Sequence, residues 1–186
     1  MKNTFISSDH HFGHRNVLQF CSTTRPFDTV EEMNEGLITR HNEVVKPEDD
    51  VYFLGDFAFM PANQIEVILE RMHGNKHFVF GNHDKPMRQS SIVKHFVWMK
   101  DYHELRLTNH KQLSPVVLFH FPIHSWNRMH YGALHFYGHT HGTVPEMAGG
   151  RARDVGVDSN NCYPWNVVDL VALMEPCAIT DPRAVR

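Results

Sequence analysis

His77-Phe78-Val79-Phe80-Gly81-Asn82-His83-Asp84 joins a run rich in β-formers to a polar turn, and the same arrangement recurs along the chain. Thr4-Phe5-Ile6 leads into Asp9-His10-His11, and Val51-Tyr52-Phe53-Leu54 into Gly55-Asp56. Val116-Val117-Leu118-Phe119 ends at His120, and Leu134-His135-Phe136-Tyr137 at Gly138-His139-Thr140-His141. A short apolar run bounded by turn residues reads as a buried strand. Polar residues directly after five such strands belong at one end of a sheet, where α/β folds place their binding crevice. The pattern predicts one site assembled from most of the chain.

Carboxylate, imidazole and amide oxygen together suit Mn, Fe, Co, Ni or Zn, whereas Mg and Ca prefer oxygen alone. The candidate ligands are Asp9, His11, Asp56, Asn82, His120, His139 and His141. Asp9 and His11 are two apart, so in an extended segment their side chains project the same way, and His139 and His141 repeat that spacing. Seven donors exceed the four of a closed structural zinc site. Two ions roughly 3.5–4 Å apart and sharing one carboxylate would use them all, an arrangement suited to phosphoryl hydrolysis. Singly, each residue has a plainer reading: His120 as a core histidine, Asp56 and Asn82 as turn residues, Asp9 as a helix cap. The ordered set of five clusters outweighs those readings.

In order and spacing, Asp9-x-His11, Gly55-Asp56, Gly81-Asn82-His83-Asp84, His120 and Gly138-His139-x-His141 resemble the motif set of the calcineurin-like metallophosphoesterase superfamily. The likeness runs from residue 4 to about residue 158 and includes Val155-Gly156-Val157-Asp158, which looks like the family's last sheet strand. The resemblance implies that Asp9, His11, Asp56 and His141 hold one metal and that Asp56, Asn82, His120 and His139 hold the other, with Asp56 bridging. It implies two divalent transition ions and a bridging hydroxide as nucleophile. It further implies His83 as the catalytic histidine, acting on the leaving oxygen or the phosphoryl oxygens, with Asp84 orienting it. The family's fold, two mixed β-sheets between helices in four layers, becomes the expectation for a single α/β domain over residues 1–186.

The segments between the motifs fit that order. Thr29-Val30-Glu31-Glu32 is a capping box, followed at helical spacing by Val30, Met33, Leu37, Ile38, His41 and Val45. Pro61 opens a second helix bearing Ile65, Ile68, Leu69 and Met72 on one face, with Gly74 as its stop. Pro164-Trp165-Asn166 opens a third helix over Val167 to Met174, and Ser90 to Lys100 fits a short fourth helix or a strand. Tyr102 to Leu107, the polar Thr108-Asn109-His110-Lys111 and Val116 to Leu118 read as a hairpin that makes the sheets mixed.

The 186 residues suffice for one well-buried domain. Three cysteines, Cys21, Cys162 and Cys177, lack metal-ligand spacing and favour a reducing, cytoplasmic setting as buried free thiols. The chain shows no apolar leader before its first strand and no run of membrane-spanning length. A net charge of −3 and a pI near 6.6 argue against an extended nucleic-acid partner. The resemblance, with no cap domain to close the cleft, leans to small, nucleotide-like phosphodiesters, with a phosphomonoesterase or nuclease of the same superfamily, or a non-catalytic scaffold, as the alternatives. Loops on a rigid scaffold select substrate, which points to Phe12 to Pro26 and to Phe121 to Gly132. Within them His14 is the expected substrate-binding residue. Arg15 and Arg128 are candidates for gripping phosphate oxygens, and Trp126 or Tyr131 for stacking on a base. The plainer alternatives are that Arg15 caps the next helix and Trp126 packs under its loop.

Overall fold

Five strands form the first sheet, and their registers explain the clustering of the motifs. The computed structural model describes residues 2–107, 110–143 and 151–179. In chain order the elements are β1 (Thr4–Ser7), α1 (Val17–Phe20), α2 (Val30–Val44), β2 (Asp50–Phe53), α3 (Ala62–Arg71), β3 (Asn75–Val79), α4 (Ser90–Val93) and β4 (Phe96–Lys100). There follow β5 (His103–Leu105), β6 (Val116–Leu118), β7 (His135–Tyr137), β8 (Ala152–Asp154), β9 (Trp165–Asn166) and α5 (Val167–Met174). One sheet has the order β4-β3-β2-β1-β9 and the other β5-β6-β7-β8. Strands β1 to β4 run parallel with β9 antiparallel to β1, while β6, β7 and β8 run parallel with β5 antiparallel. The fold is α/β with two mixed sheets, as the motif order led us to expect.

Alternation along the strands divides the core into layers. Phe5, Val51, Phe53 and Phe78 face Met33, Leu37, Ile65 and Leu69 of α2 and α3. Their neighbours Ile6, Tyr52, Leu54 and Val79 face the other way and meet Val116, Leu118 and Phe136 of the second sheet. Helix α5 adds Val167, Leu170, Val171 and Met174 to that inter-sheet core. Val117 and Tyr137, on the far face of the second sheet, pack with Trp126, Met129 and Ala133. The cover on that side is a loop with a single 3-10 turn at Met129–Tyr131, thinner than a layer of α-helices.

The Thr29 capping box forms as read: Glu32 N–H donates to Thr29 Oγ1 at 3.1 Å, and Thr29 N–H to Glu32 Oε2 at 3.3 Å. Ser90 to Lys100 resolves into both alternatives, one helical turn and then a strand beside β3. The polar turn of the expected hairpin includes Thr108 and Asn109, which lie outside the described residues; β5 and β6 do pair antiparallel. Val155-Gly156-Val157-Asp158 is not the last strand. Strand β8 ends at Asp154, and Val157–Ser159 forms a 3-10 turn. Asp154 Oδ1 accepts from Gly156 N–H at 2.7 Å, and Ser159 Oγ donates to Asp154 O and Gly156 O. Such local side-chain bonds compete with a ladder and close the strand early.

Histidines outside the site also hold the fold. His41 binds His73 O through Nε2 at 3.0 Å, and His135 binds Val117 O through Nδ1 at 3.1 Å while its Nε2 accepts from Ile123 N–H. Burial pushes both pKa values down to about 4. An unfolded histidine takes a proton near pH 6.5, so between about 6.5 and 4 the unfolded state binds more protons and stability falls as pH falls. Each histidine contributes about 1.4 kcal/mol per pH unit in that window. Urea unfolding between pH 6.5 and 4.5 should give His135→Asn a shallower pH slope than wild type by about that amount; parallel slopes would contradict it.

Candidate metal centre

The ligand-bearing turns are held together by backbone bonds before any ligand is considered. Asp9 N–H donates to Gly55 O, His11 N–H to Asp56 O and Gly138 N–H to His120 O, all within 3.1 Å. Ser8 forms a parallel bridge to Gly156, which joins the end of β1 to the segment after β8. Three of the motif glycines are required by close approach, Gly55 because a Cβ there would lie 2.5 Å from Gly81 N. A Cβ on Gly81 would lie 2.5 Å from Asp56 Oδ1, and one on Gly138 would overlap Ser8 Oγ and Asp9 Oδ2. Gly138→Ala should therefore displace the Asp9 turn and abolish metal binding at that position; normal metal uptake by the variant, read by calorimetry, would contradict it.

Seven sequence-selected residues form two adjoining groups. Ligand atoms of Asp9, His11 and His141 lie within 4.8 Å of one another, as do those of Asp56, His120 and His139. Asp56 stands between them: Oδ2 is 3.8 Å from His11 Nε2, and Oδ1 is 3.6 Å from His120 Nε2. Asn82 joins the second group, with Oδ1 3.0 Å from His120 Nε2.

The backbone beneath these residues departs from the extended geometry that the two-residue spacing suggested. Asp9, His11, Asp56, His139 and His141 all have left-handed φ, between 49° and 70°. Such backbone costs about 1–3 kcal/mol per residue and persists where surrounding structure enforces it. At Gly138-His139-Thr140-His141 the two histidines enter different groups, whereas Asp9 and His11, at the same spacing, enter one.

Arg25 and Asp158 supply much of the enforcement. Arg25 is buried and forks onto Asp158, Nε to Oδ1 at 2.9 Å and Nη2 to Oδ2 at 2.7 Å. The same guanidinium donates to Asp9 O at 2.6 Å and His10 O at 2.9 Å, pinning the left-handed turn. Asp158 Oδ2 also accepts from His141 Nδ1 at 2.7 Å, which leaves the other ring nitrogen available to a metal. His120 is set likewise, its Nδ1–H donating to Leu54 O at 2.7 Å. Carboxylates and carbonyls in this role fix the tautomer of metal-binding histidines. Sequence reading missed Arg25 and Asp158 as site residues, and Cys21 as well, whose Sγ lies 3.5 Å from His141 Nδ1.

The charges fit a divalent cation. Burial, with help from Asp154 and Asp56, pushes the Asp9 carboxyl up to about 8 although His141 opposes it. Its Oδ2 accepts from His139 N–H at 2.8 Å, but buried Oδ1 has no hydrogen-bond partner. Burial, then the neighbouring His141 and Arg25, holds His11 neutral with a pKa of about 2, and neither of its ring nitrogens is hydrogen-bonded. Burial works against a charged His141, but Asp158 and Asp9 outweigh it and raise its pKa. Unpartnered buried donors converging around carboxylates are what a cation would satisfy.

Asp84 has a different task from the one expected. Its carboxylate accepts from Asp56, Phe57 and Gly81 N–H at 2.6 to 3.0 Å, so it ties two ligand loops together, and no bond to the His83 ring is present among the described residues. His83 is exposed, and its N–H donates to Asp56 Oδ1 at 3.0 Å. His14 sits beside this group: its ring lies 5.5 Å from His11, and its buried Nδ1 has no hydrogen-bond partner. Trp126 is buried and donates through Nε1 to Ala133 O, so it packs under its loop and offers no stacking face. Arg128 borders a hollow of about 590 Å³ that none of the ligand residues lines, and lies over the exposed Tyr131 ring. Arg15 is exposed, and helix α1 has no side-chain cap.

No family model matches the chain. It is 44% identical over 97 residues to an uncharacterized protein of Methanocaldococcus jannaschii, a match covering 51% of this chain and 54% of that protein, so the chain spans about half the length of that relative. It is 28% identical over 165 residues to the Gene 66 protein of Mycobacterium phage L5, covering 76% of this chain and 78% of that one. The crystal structure of a protein of unknown function from Aquifex aeolicus superposes with a TM-score of 0.71 at 23% identity, covering 93% of this chain and all of that one. That likeness is one of fold. No described helix is long and apolar enough to cross a membrane.

Proposed function

We propose that this protein is a metal-dependent phosphoesterase of the calcineurin-like superfamily that holds two divalent transition ions, drawn from Mn, Fe, Co, Ni and Zn, and cleaves small phosphate esters, diesters in preference. The observation that carries the proposal is Asp56, whose two carboxylate oxygens each face a histidine of a different ligand group. Asp9, His11 and His141 would complete one position, and Asn82, His120 and His139 the other. When bound, a paired metal centre supplies Lewis acidity toward phosphoryl oxygens and acidifies water. The remaining work falls to this chain's own groups. Exposed His83, anchored through its N–H on Asp56, meets the leaving oxygen and gives it a proton; His14 meets a non-bridging oxygen. Cytoplasmic location and action as a single domain belong to the same proposal.

A screen of small phosphate esters with metal-free protein reloaded with Mn, Ni, Zn or Mg tests the activity. Hydrolysis should appear with transition ions and favour diesters; no turnover with any ester and any ion would overturn the proposal. His83→Ala should lower turnover by about 10²–10⁴-fold while metal content stays near two, and unchanged turnover at full occupancy would remove His83 from the reaction. His14→Ala should shift the diester-to-monoester ratio more than it shifts metal binding.

A further inference from the structure

Among the described residues, Phe59 makes ring contacts with the site's own histidines alone, whereas Phe121, which meets His120 and His139, also packs on Phe119. Phe57, two residues earlier, is fully buried in the core with Phe53 and Phe78, whereas Phe59 is 36% exposed and outside the apolar clusters. Its backbone is fixed at the rim of the site: Phe59 N–H donates to Phe12 O at 2.8 Å, next to the Phe12–Ala58 bridge. The ring stacks with His14 at 4.2 Å and with His11 at 5.2 Å, and meets His83 at 4.8 Å at a tilt. His11 and His14 are only 5.5 Å apart, far less than their two distances to Phe59 added together, so they do not sandwich the phenyl ring.

We propose that Phe59 is a specificity-determining residue, the surface on which a flat, unsaturated leaving group of the ester stacks. The inference rests on the phosphoesterase reading above. If His83 protonates the leaving oxygen, whatever hangs from that oxygen must pass within reach of the His83 ring, and Phe59 is the exposed apolar surface in contact with that ring. An exposed phenyl face gives a planar group favourable offset stacking, whereas a short alkyl group gains little there. The substrate class this favours is aryl or nucleobase-bearing phosphate esters over simple alkyl ones.

Equilibrium binding of phenylphosphonate and methylphosphonate to the metal-loaded protein tests this without turnover. Calorimetry on wild type should show phenylphosphonate bound about three- to tenfold more tightly, the range expected for one aromatic pair. Phe59→Ala, with metal content verified, should bring that ratio close to one, and Phe59→Tyr should keep it. The inference is overturned if wild type shows no phenyl preference, if Phe59→Ala keeps it, or if Phe59→Ala weakens both ligands equally. A wild type that prefers the phenyl ligand but hydrolyses no ester would sink the phosphoesterase reading alone.

Discussion

Asp56→Asn is expected to empty both metal positions together and drop turnover to the metal-free rate. The substitution keeps the size of the side chain and one carbonyl oxygen, so the amide can still accept from His83 N–H and the loop need not move. What it removes is a charge presented to both ligand groups at once, Oδ2 toward His11 and Oδ1 toward His120. Asp9 is the one other carboxylate in the ligand set and serves the first position alone, so both ions depend heavily on the charge of Asp56. By contrast, His139→Ala should weaken the second position and spare the first, and Asp9→Asn the reverse. Metal analysis after dialysis gives the readout. An Asp56→Asn protein that keeps two ions, or loses fewer than His139→Ala, would show that Asp56 does not bridge.

Arg25→Met should have the largest effect on stability. The guanidinium is buried, and it joins Asp158 to the backbone of Asp9 and His10. Burial opposes ionisation of Asp158, but hydrogen bonds from His141 and Arg25 outweigh it and hold the carboxyl far below the usual range. Removing the arginine leaves that carboxylate without its two-pronged partner, a loss of about 3–5 kcal/mol for a broken buried pair. It also frees the left-handed Asp9 turn and weakens orientation of His141, so metal affinity should fall about 10–100-fold. Arg25→Met combined with Asp158→Leu should recover part of the stability, because no uncompensated charge remains, but not the metal affinity. Denaturation showing a loss under about 1 kcal/mol for the single variant would contradict this account.

Which parts of this molecule can be read from sequence follows from the range of the interactions. Each ligand trails a strand directly, so the strand and the ligand at its end are both local features, and even lone His120 is marked by Val116-Val117-Leu118-Phe119 before it. The Thr29–Glu32 box is likewise settled within four residues. Arg25 and Asp158 are 133 residues apart and carry no local pattern; only the folded chain brings them together. The task of Asp84 depends on backbone N–H groups of Asp56 and Phe57, 28 and 27 residues away, which local spacing does not encode, and the division of His139 and His141 between two groups was legible only through the family resemblance. Phe59 looks like any core phenylalanine after Phe57, and its exposure appears only once Phe12 fixes the loop. Of the sixteen histidines, His41 and His135 hold backbone carbonyls in the interior, a role that composition cannot separate from metal binding.

The most direct test of the paired centre is anomalous diffraction at the manganese edge from crystals of the manganese-saturated protein. The account predicts two peaks about 3.5–4 Å apart, one against Asp9, His11 and His141 and the other against Asn82, His120 and His139, with the Asp56 carboxylate between them. A single peak, or an ion seated instead on Cys21, His141 and Asp158 with Asp56 unengaged, would contradict it.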